Sequence, residues 1–211
     1  TWRQRHTSAQ RFYTLPGTQW TLGGLLASHC GLPLVPTGWG GRNHFDSQHS
    51  PLPGATCLGD VLQRAGFATA FVGGADPAFA GKGTFLHNHG FDQVYGRDDI
   101  QRHQHGLPWP AGWWGFEDHT TLAFATQVLD GLERSGQPFF LHLLTLDTHG
   151  PRGVASHHCP APGSTSTMQH VYDCSLEAVE AFLAELERRE GTSGMEEKAM
   201  RKVLAREGVE K

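Results

Sequence analysis

A threonine delivered by a Pro-Gly turn to a helix of small residues is the group in this chain best placed to do chemistry. It lies in Leu15-Pro16-Gly17-Thr18-Gln19-Trp20-Thr21-Leu22-Gly23-Gly24. The unpaired N–H groups of a helix start carry partial positive charge and attract phosphate or sulfate. A hydroxyl at that mouth suits nucleophilic attack on an anionic ester. The plainer reading of Thr18 is a helix N-cap, a role threonine often fills. The chain also has 14 histidines, with local pairs at His87 and His89, His103 and His105, and His157 and His158. No Cys or carboxylate stands beside them at a ligand spacing, so most of them read as solvated loop histidines. Trp109, Trp113 and Trp114 fit either stacking on sugar rings or packing a loop onto the core.

The four cysteines, Cys30, Cys57, Cys159 and Cys174, form no C-x-x-C pair. That weakens zinc-ribbon and thioredoxin-like readings. The favoured local pairings are Cys30–Cys57 and Cys159–Cys174, each worth about 3 kcal/mol in the chain-entropy treatment. Four buried thiols remain the alternative.

Several elements must position these groups. The pattern predicts a short strand over Gln10–Thr14 and a helix over Thr18–His29, ended by Gly31 and Pro33. A loop over Gly38–Pro53 precedes a helix from a Thr56 cap to Arg64, with Leu58, Val61, Leu62 and Ala65 facing inward. Phe67–Val72 reads as a strand running into Gly73-Gly74. A short helix is predicted over Pro77–His89, an extended piece over Phe91–Tyr95, and a loop over Arg97–Trp113. A long helix over Glu117–Ser135 presents Leu122, Ala125, Val128, Leu129 and Leu132 to the core. Phe139–Leu146 is the most apolar strand, predicted central and parallel. A polar loop then leads to a last amphipathic helix over Val171–Arg189.

This alternation predicts an α/β fold, a layered sandwich with a mostly parallel sheet flanked by helices. Active sites in such sheets lie at the strand C-termini, where Gly73-Gly74 and Asp147-Thr148-His149 fall. Residues 1–190 read as one domain and 191–211 as a charged C-terminal tail. The chain has 211 residues, a net charge of −4, 38% apolar residues, 27 Gly and 12 Pro. A mildly acidic, loop-rich chain of this kind gives no nucleic-acid-binding signature. No run of about 18 apolar residues is present to cross a membrane.

Five ordered blocks carry a resemblance: LPGTQWTLGGLLASHCGLPL, TCLGDVLQRAGFATAFVGGA, FAGKGTFLHNHGFDQVYG, WWGFEDHTTL and PFFLHLLTLDTHGP. With these the chain resembles the phosphoglycerol transferase family of osmoregulated periplasmic glucan synthesis. That family is part of the sulfatase/alkaline-phosphatase superfamily and is similar to the lipoteichoic acid synthases. The resemblance implies an alkaline-phosphatase/sulfatase-like fold, here incomplete. It implies Thr18 as catalytic nucleophile and metal ligand, and Lys82 and His149 as substrate contacts that donate to anionic oxygens. It implies a divalent metal, most often manganese, which lowers the hydroxyl pKa for in-line attack. It also implies a phosphatidylglycerol-type donor, a glucan acceptor, and a place on the periplasmic face of the inner membrane, reached through an N-terminal anchor ahead of Thr1. Asp118 recurs in the family block without an assigned role beyond structure.

The remaining metal ligands of that family are an acidic residue upstream of the threonine and an Asp-His pair on a later strand. No Asp or Glu precedes Thr18, and no Asp-His pair follows Asp118-His119. The expectation is a partial catalytic domain, inactive or very weak alone and binding no metal by itself. The alternatives are a sulfatase- or phosphatase-type hydrolase, or a non-catalytic remnant. The formylglycine pattern C-x-P-x-R of sulfatases is absent.

Overall fold

The computed structural model describes residues 11, 13–33, 52–106, 108–160 and 167–190. The proposed tail at 191–211, and Gln10 and Phe12 of the first predicted strand, lie outside these residues, as does most of the Gly38–Pro53 loop. Tyr13 and Thr14 are irregular rather than extended in a sheet.

Three parallel strands form the sheet: β1 (Ala68–Gly73), β2 (Gln93–Tyr95) and β3 (Phe139–Leu144), in the order β2-β1-β3. Ala70 pairs with Gln93 on one side and Leu141 on the other. Alternation along β1 sends neighbouring side chains to opposite faces. Phe71 joins a cluster with Leu22, Leu25, Leu26, Phe85, Leu86 and Phe91. Val72 joins the opposite cluster with Ile100, Phe116, Leu122, Phe124, Ala125 and Phe182. Ala70, Phe71 and Val72 are fully buried. Burial of each larger side chain favours folding by about 1.5–3 kcal/mol.

The first face is covered by α1 (Thr21–Cys30), α2 (Leu58–Arg64) and α3 (Lys82–Asn88). The second is covered by α4 (Arg97–His103), α5 (Asp118–Ser135) and α6 (Thr167–Glu190). The layered parallel α/β reading therefore holds. Both favoured disulfides are present, Cys30–Cys57 and Cys159–Cys174.

The differences from the sequence reading have local causes. In the described sheet β1, not β3, is the middle strand. A continuous apolar run reports cover on both faces and does not count neighbouring strands. The first residue of α2 is Leu58, which is 39% exposed, and its cap is Cys57 rather than Thr56. The Asp60 carboxylate accepts from the Cys57 N–H at 2.8 Å, and that bond fixes the start. The predicted Pro77–His89 helix is broken into a single 3-10 turn (Phe79–Gly81) and α3, because Ala80 and Gly81 both have positive φ. Arg97–His103 is helical where a loop was predicted. Its start is held by Asp99, whose carboxylate accepts from the Gly96 N–H at 2.9 Å.

Candidate active site at the strand ends

The nucleophile segment begins with a tight turn. Pro16 supplies a fixed φ, and Gly17 has φ 79°, which a type II turn requires at that place. The Thr18 N–H and hydroxyl both donate to Leu15 O, at 3.2 and 2.6 Å. The Trp20 indole donates to Gly17 O at 3.0 Å. Trp20 is the N-cap and α1 starts at Thr21. Thr18 is thus neither the first helical residue nor the cap, but the closing residue of the turn before it. It is 5% exposed, with its hydroxyl already satisfied.

Lys82 opens α3 with its ammonium donating to Asp76 O at 3.0 Å. It is 4% exposed, and burial lowers its pKa to about 8, with the nearby Asp76 charge opposing that shift. Asp76 lies just beyond the end of β1 and also accepts from Arg97 at 3.3 Å. The Arg97 guanidinium lies 4.5 Å over the Trp109 ring and donates to Trp114 O. Trp114 stacks on Trp113 and meets the edge of His149, with ring centroids 4.3 Å apart. His149 is exposed, and its Nδ1 lies 2.8 Å from Gly150 O. Lys82 and His149 are therefore joined along one rim through Asp76, Arg97 and Trp114, of which sequence reasoning had singled out only Trp114. The tryptophans pack the loop, and Trp114 keeps an exposed face.

The rim is pinned to α5 by a close backbone approach. A Cβ on Gly74 would lie 2.3 Å from Phe116 O, and one on Gly115 would lie 1.9 Å from Gly74 O. Only glycine fits there. Behind it, Asp118 Oδ1 accepts from the Leu146 and Asp147 N–H groups, while Ser175 donates to Oδ2 at 2.6 Å. The Asp118 N–H donates to Asp147 Oδ1 at 3.1 Å. Asp147 is fully buried and its Oδ2 has no hydrogen-bond partner. Burial first, then the Asp118 charge, raises its pKa to about 8. Asp118 thus holds the β3 end that presents His149.

Residues 13–189 match the sulfatase family. This chain belongs to that family. Phosphoglycerol transferase I of Escherichia coli is 40% identical over 174 residues, which is 80% of this chain and 22% of the relative. Phosphoglycerol transferase I of Xanthomonas euvesicatoria is 46% identical over 138 residues, 65% of this chain and 19% of the relative. This sulfatase-family chain thus spans about a fifth of the length of those relatives. The crystal structure of the lipoteichoic acid synthase LtaP from Listeria monocytogenes has a TM-score of 0.58 at 14% identity, covering 79% of this chain and 40% of that one. At that identity the likeness supports the fold alone.

The superfamily generally works with a divalent metal. The donors around Thr18 do not make such a site among the described residues. The two described clusters of potential ligands are Cys57, Asp60 and His89, and Glu117, His157 and His158. Cys57 is bonded to Cys30 at the far end of α1 and has no thiolate to offer. His89, read from sequence as a solvated loop histidine, is instead buried against Asp60 at 3.2 Å.

Proposed function

We propose that this chain is part of the catalytic domain of a phosphoglycerol transferase acting at the periplasmic face of the inner membrane. The donor is a phosphatidylglycerol-type lipid and the acceptor a periplasmic glucan. The observation that supports this most is the rim itself. A buried lysine and an exposed histidine, Lys82 and His149, lie at the C-terminal ends of β1 and β3 and are linked by Asp76, Arg97 and Trp114. Two cationic or donating groups at the strand ends suit a phosphodiester head group.

In this reading the Thr18 oxygen attacks the donor phosphorus, and the hydroxyl proton it gives up ends on the departing lipid oxygen. The bond from phosphorus to the lipid oxygen breaks, and diacylglycerol leaves. A glucan hydroxyl then attacks the same phosphorus, the bond from phosphorus to the Thr18 oxygen breaks, and the glucan proton ends on the released Thr18 hydroxyl. Lys82 and His149 donate to the non-bridging oxygens as charge builds. Thr18 must first exchange its bond to Leu15 O for the substrate. Manganese belongs to this reading through the family. Only Thr18 of that ligand set lies among the described residues.

The test uses the full reading frame in membranes with a phosphatidylglycerol donor and glucan. Thr18→Ala is expected to lower transfer about a thousandfold or more and to abolish a phosphoglycerol adduct on the protein. Unchanged transfer in Thr18→Ala overturns the covalent route. Release of free glycerol phosphate without glucan modification identifies a hydrolase instead.

A further inference from the structure

Glu117 caps α5 and is 2% exposed, yet its two oxygens face a loop forty residues away. Oε1 pairs with His157 Nδ1, and Oε2 accepts from the His157 backbone N–H at 3.0 Å. The next residue, His158, brings a second ring against the first, with centroids 3.9 Å apart. His119, the second residue of α5, stacks on His158, also at 3.9 Å. One ligand atom from each of Glu117, His157 and His158 lies within 4.8 Å of the others.

We propose that Glu117, His157 and His158 form a binding site for a zinc-type divalent cation, separate from Thr18. A carboxylate with two imidazoles is the donor set that borderline transition metals take, in preference to magnesium or calcium. A lone ion pair between Glu117 and His157 accounts for one ring only. The position of His158 is fixed independently: its N–H donates to the buried Ser156 hydroxyl at 3.2 Å. The loop is also built to stay in place. Glu117 Oε2 holds it at His157, and the Cys159–Cys174 disulfide ties it to α6 one residue after His158. Preorganised backbone of this kind lets small rotations of two exposed imidazoles reach zinc bond lengths of about 2.0–2.1 Å. Three protein ligands leave a further position open to water or an anionic oxygen. The site lies at the same end of the sheet as His149, since Asp118, beside Glu117, bonds the backbone of Leu146 and Asp147.

The experiment is zinc titration of the metal-stripped chain, disulfides intact, by calorimetry and by equilibrium dialysis. Cobalt(II) absorption serves as the readout of coordination. The expected result is one equivalent bound at micromolar affinity or tighter, with magnesium not competing. His157→Ala/His158→Ala changes two exposed side chains and is expected to weaken zinc at least tenfold and to remove the cobalt signal. Thr18→Ala is expected to leave both unchanged, which separates this site from the nucleophile. Absence of stoichiometric binding overturns the proposal. So does full affinity in His157→Ala/His158→Ala, or loss in Thr18→Ala.

Discussion

Each face of the sheet holds a pair of like ionisable side chains beside a disulfide, and the two pairs are held in different ways. On the α1 side His29 Nε2 and His142 Nδ1 lie 3.0 Å apart, next to Cys30–Cys57. Phe71, Phe91 and Phe140 surround them, and His29 Nδ1 has no partner. On the α5–α6 side Asp118 and Asp147 share a network with three backbone amides and Ser175, next to Cys159–Cys174. The imidazole pair is packed; the carboxylate pair is wired. A packed pair avoids charge by staying neutral, whereas a wired pair keeps one carboxylate on donors and leaves its neighbour to hold a proton. The wired pair sits where the β3 end turns toward His149, which is why its integrity matters to the candidate site.

Removing one member should therefore cost very different amounts. Asp118→Ala strips the Leu146 and Asp147 amides and the Ser175 hydroxyl of their shared acceptor, while the backbone bond from residue 118 to Asp147 remains. Its expected cost is about 3 kcal/mol or more, measured by urea unfolding under oxidising conditions. His29→Phe keeps an aromatic ring in an aromatic pocket and deletes a nitrogen that is already unpartnered. Its expected cost is about 1 kcal/mol, from the bond lost at His142. Equal costs for the two variants would show that wiring adds nothing over packing.

The two pairs also differ in how legible they were. The Asp118 block and the DTHG end of β3 were each visible as segments, and the parallel α/β layering followed from the order of periodic stretches. Their meeting was not visible, because residues 118, 147 and 175 are linked only by tertiary structure. His142 interrupts the apolar run of β3, a signal that a buried polar partner was needed, but nothing local named His29. For the same reason His157 and His158 read as solvated. Their carboxylate is Glu117, far outside any ligand spacing in the sequence. The Pro16-Gly17 turn before Thr18 was legible, whereas the distance of Thr18 from the helix start was set by Trp20 taking the cap.

Acid should separate the pairs next. Burial lowers the His142 pKa to about 4, and burial lowers that of His29 as well. The unfolded chain protonates these rings near pH 6.5, so it binds more protons than the folded chain between about pH 6.5 and 4. Stability from this pair is present above pH 6.5 and lost as pH falls toward 4. The ceiling is about 3 kcal/mol for His142. His142→Phe is expected to flatten that acid limb in urea unfolding followed from pH 7 to pH 4.5. An unchanged slope would mean that the ring is already charged in the folded protein.

Of the two pairs, alkali should act on the wired one, and more weakly. The pKa of Asp147 is raised to about 8 in the folded chain against 3.8 when unfolded. Here the folded state holds the extra proton, so its contribution is full below pH 3.8 and is lost as pH rises through 8. Between pH 4 and 6.5 this slope opposes that of the histidine pair, and the two partly cancel. From pH 6.5 to 8 the carboxyl slope is the one left of the two pairs, worth about 2 kcal/mol at most, and Lys82, with its pKa lowered to about 8, opposes it only at the top of that window. Asp147→Asn keeps an oxygen for the Asp118 N–H and cannot ionise. It should flatten stability over pH 6.5–8 while leaving the acid limb of the histidine pair intact. If the slope over pH 6.5–8 persists in that variant, Asp147 is ionised in the native chain and the two faces do not differ as drawn. If the acid limb disappears as well, the pairs are coupled through β3, and the sheet transmits between them rather than insulating them.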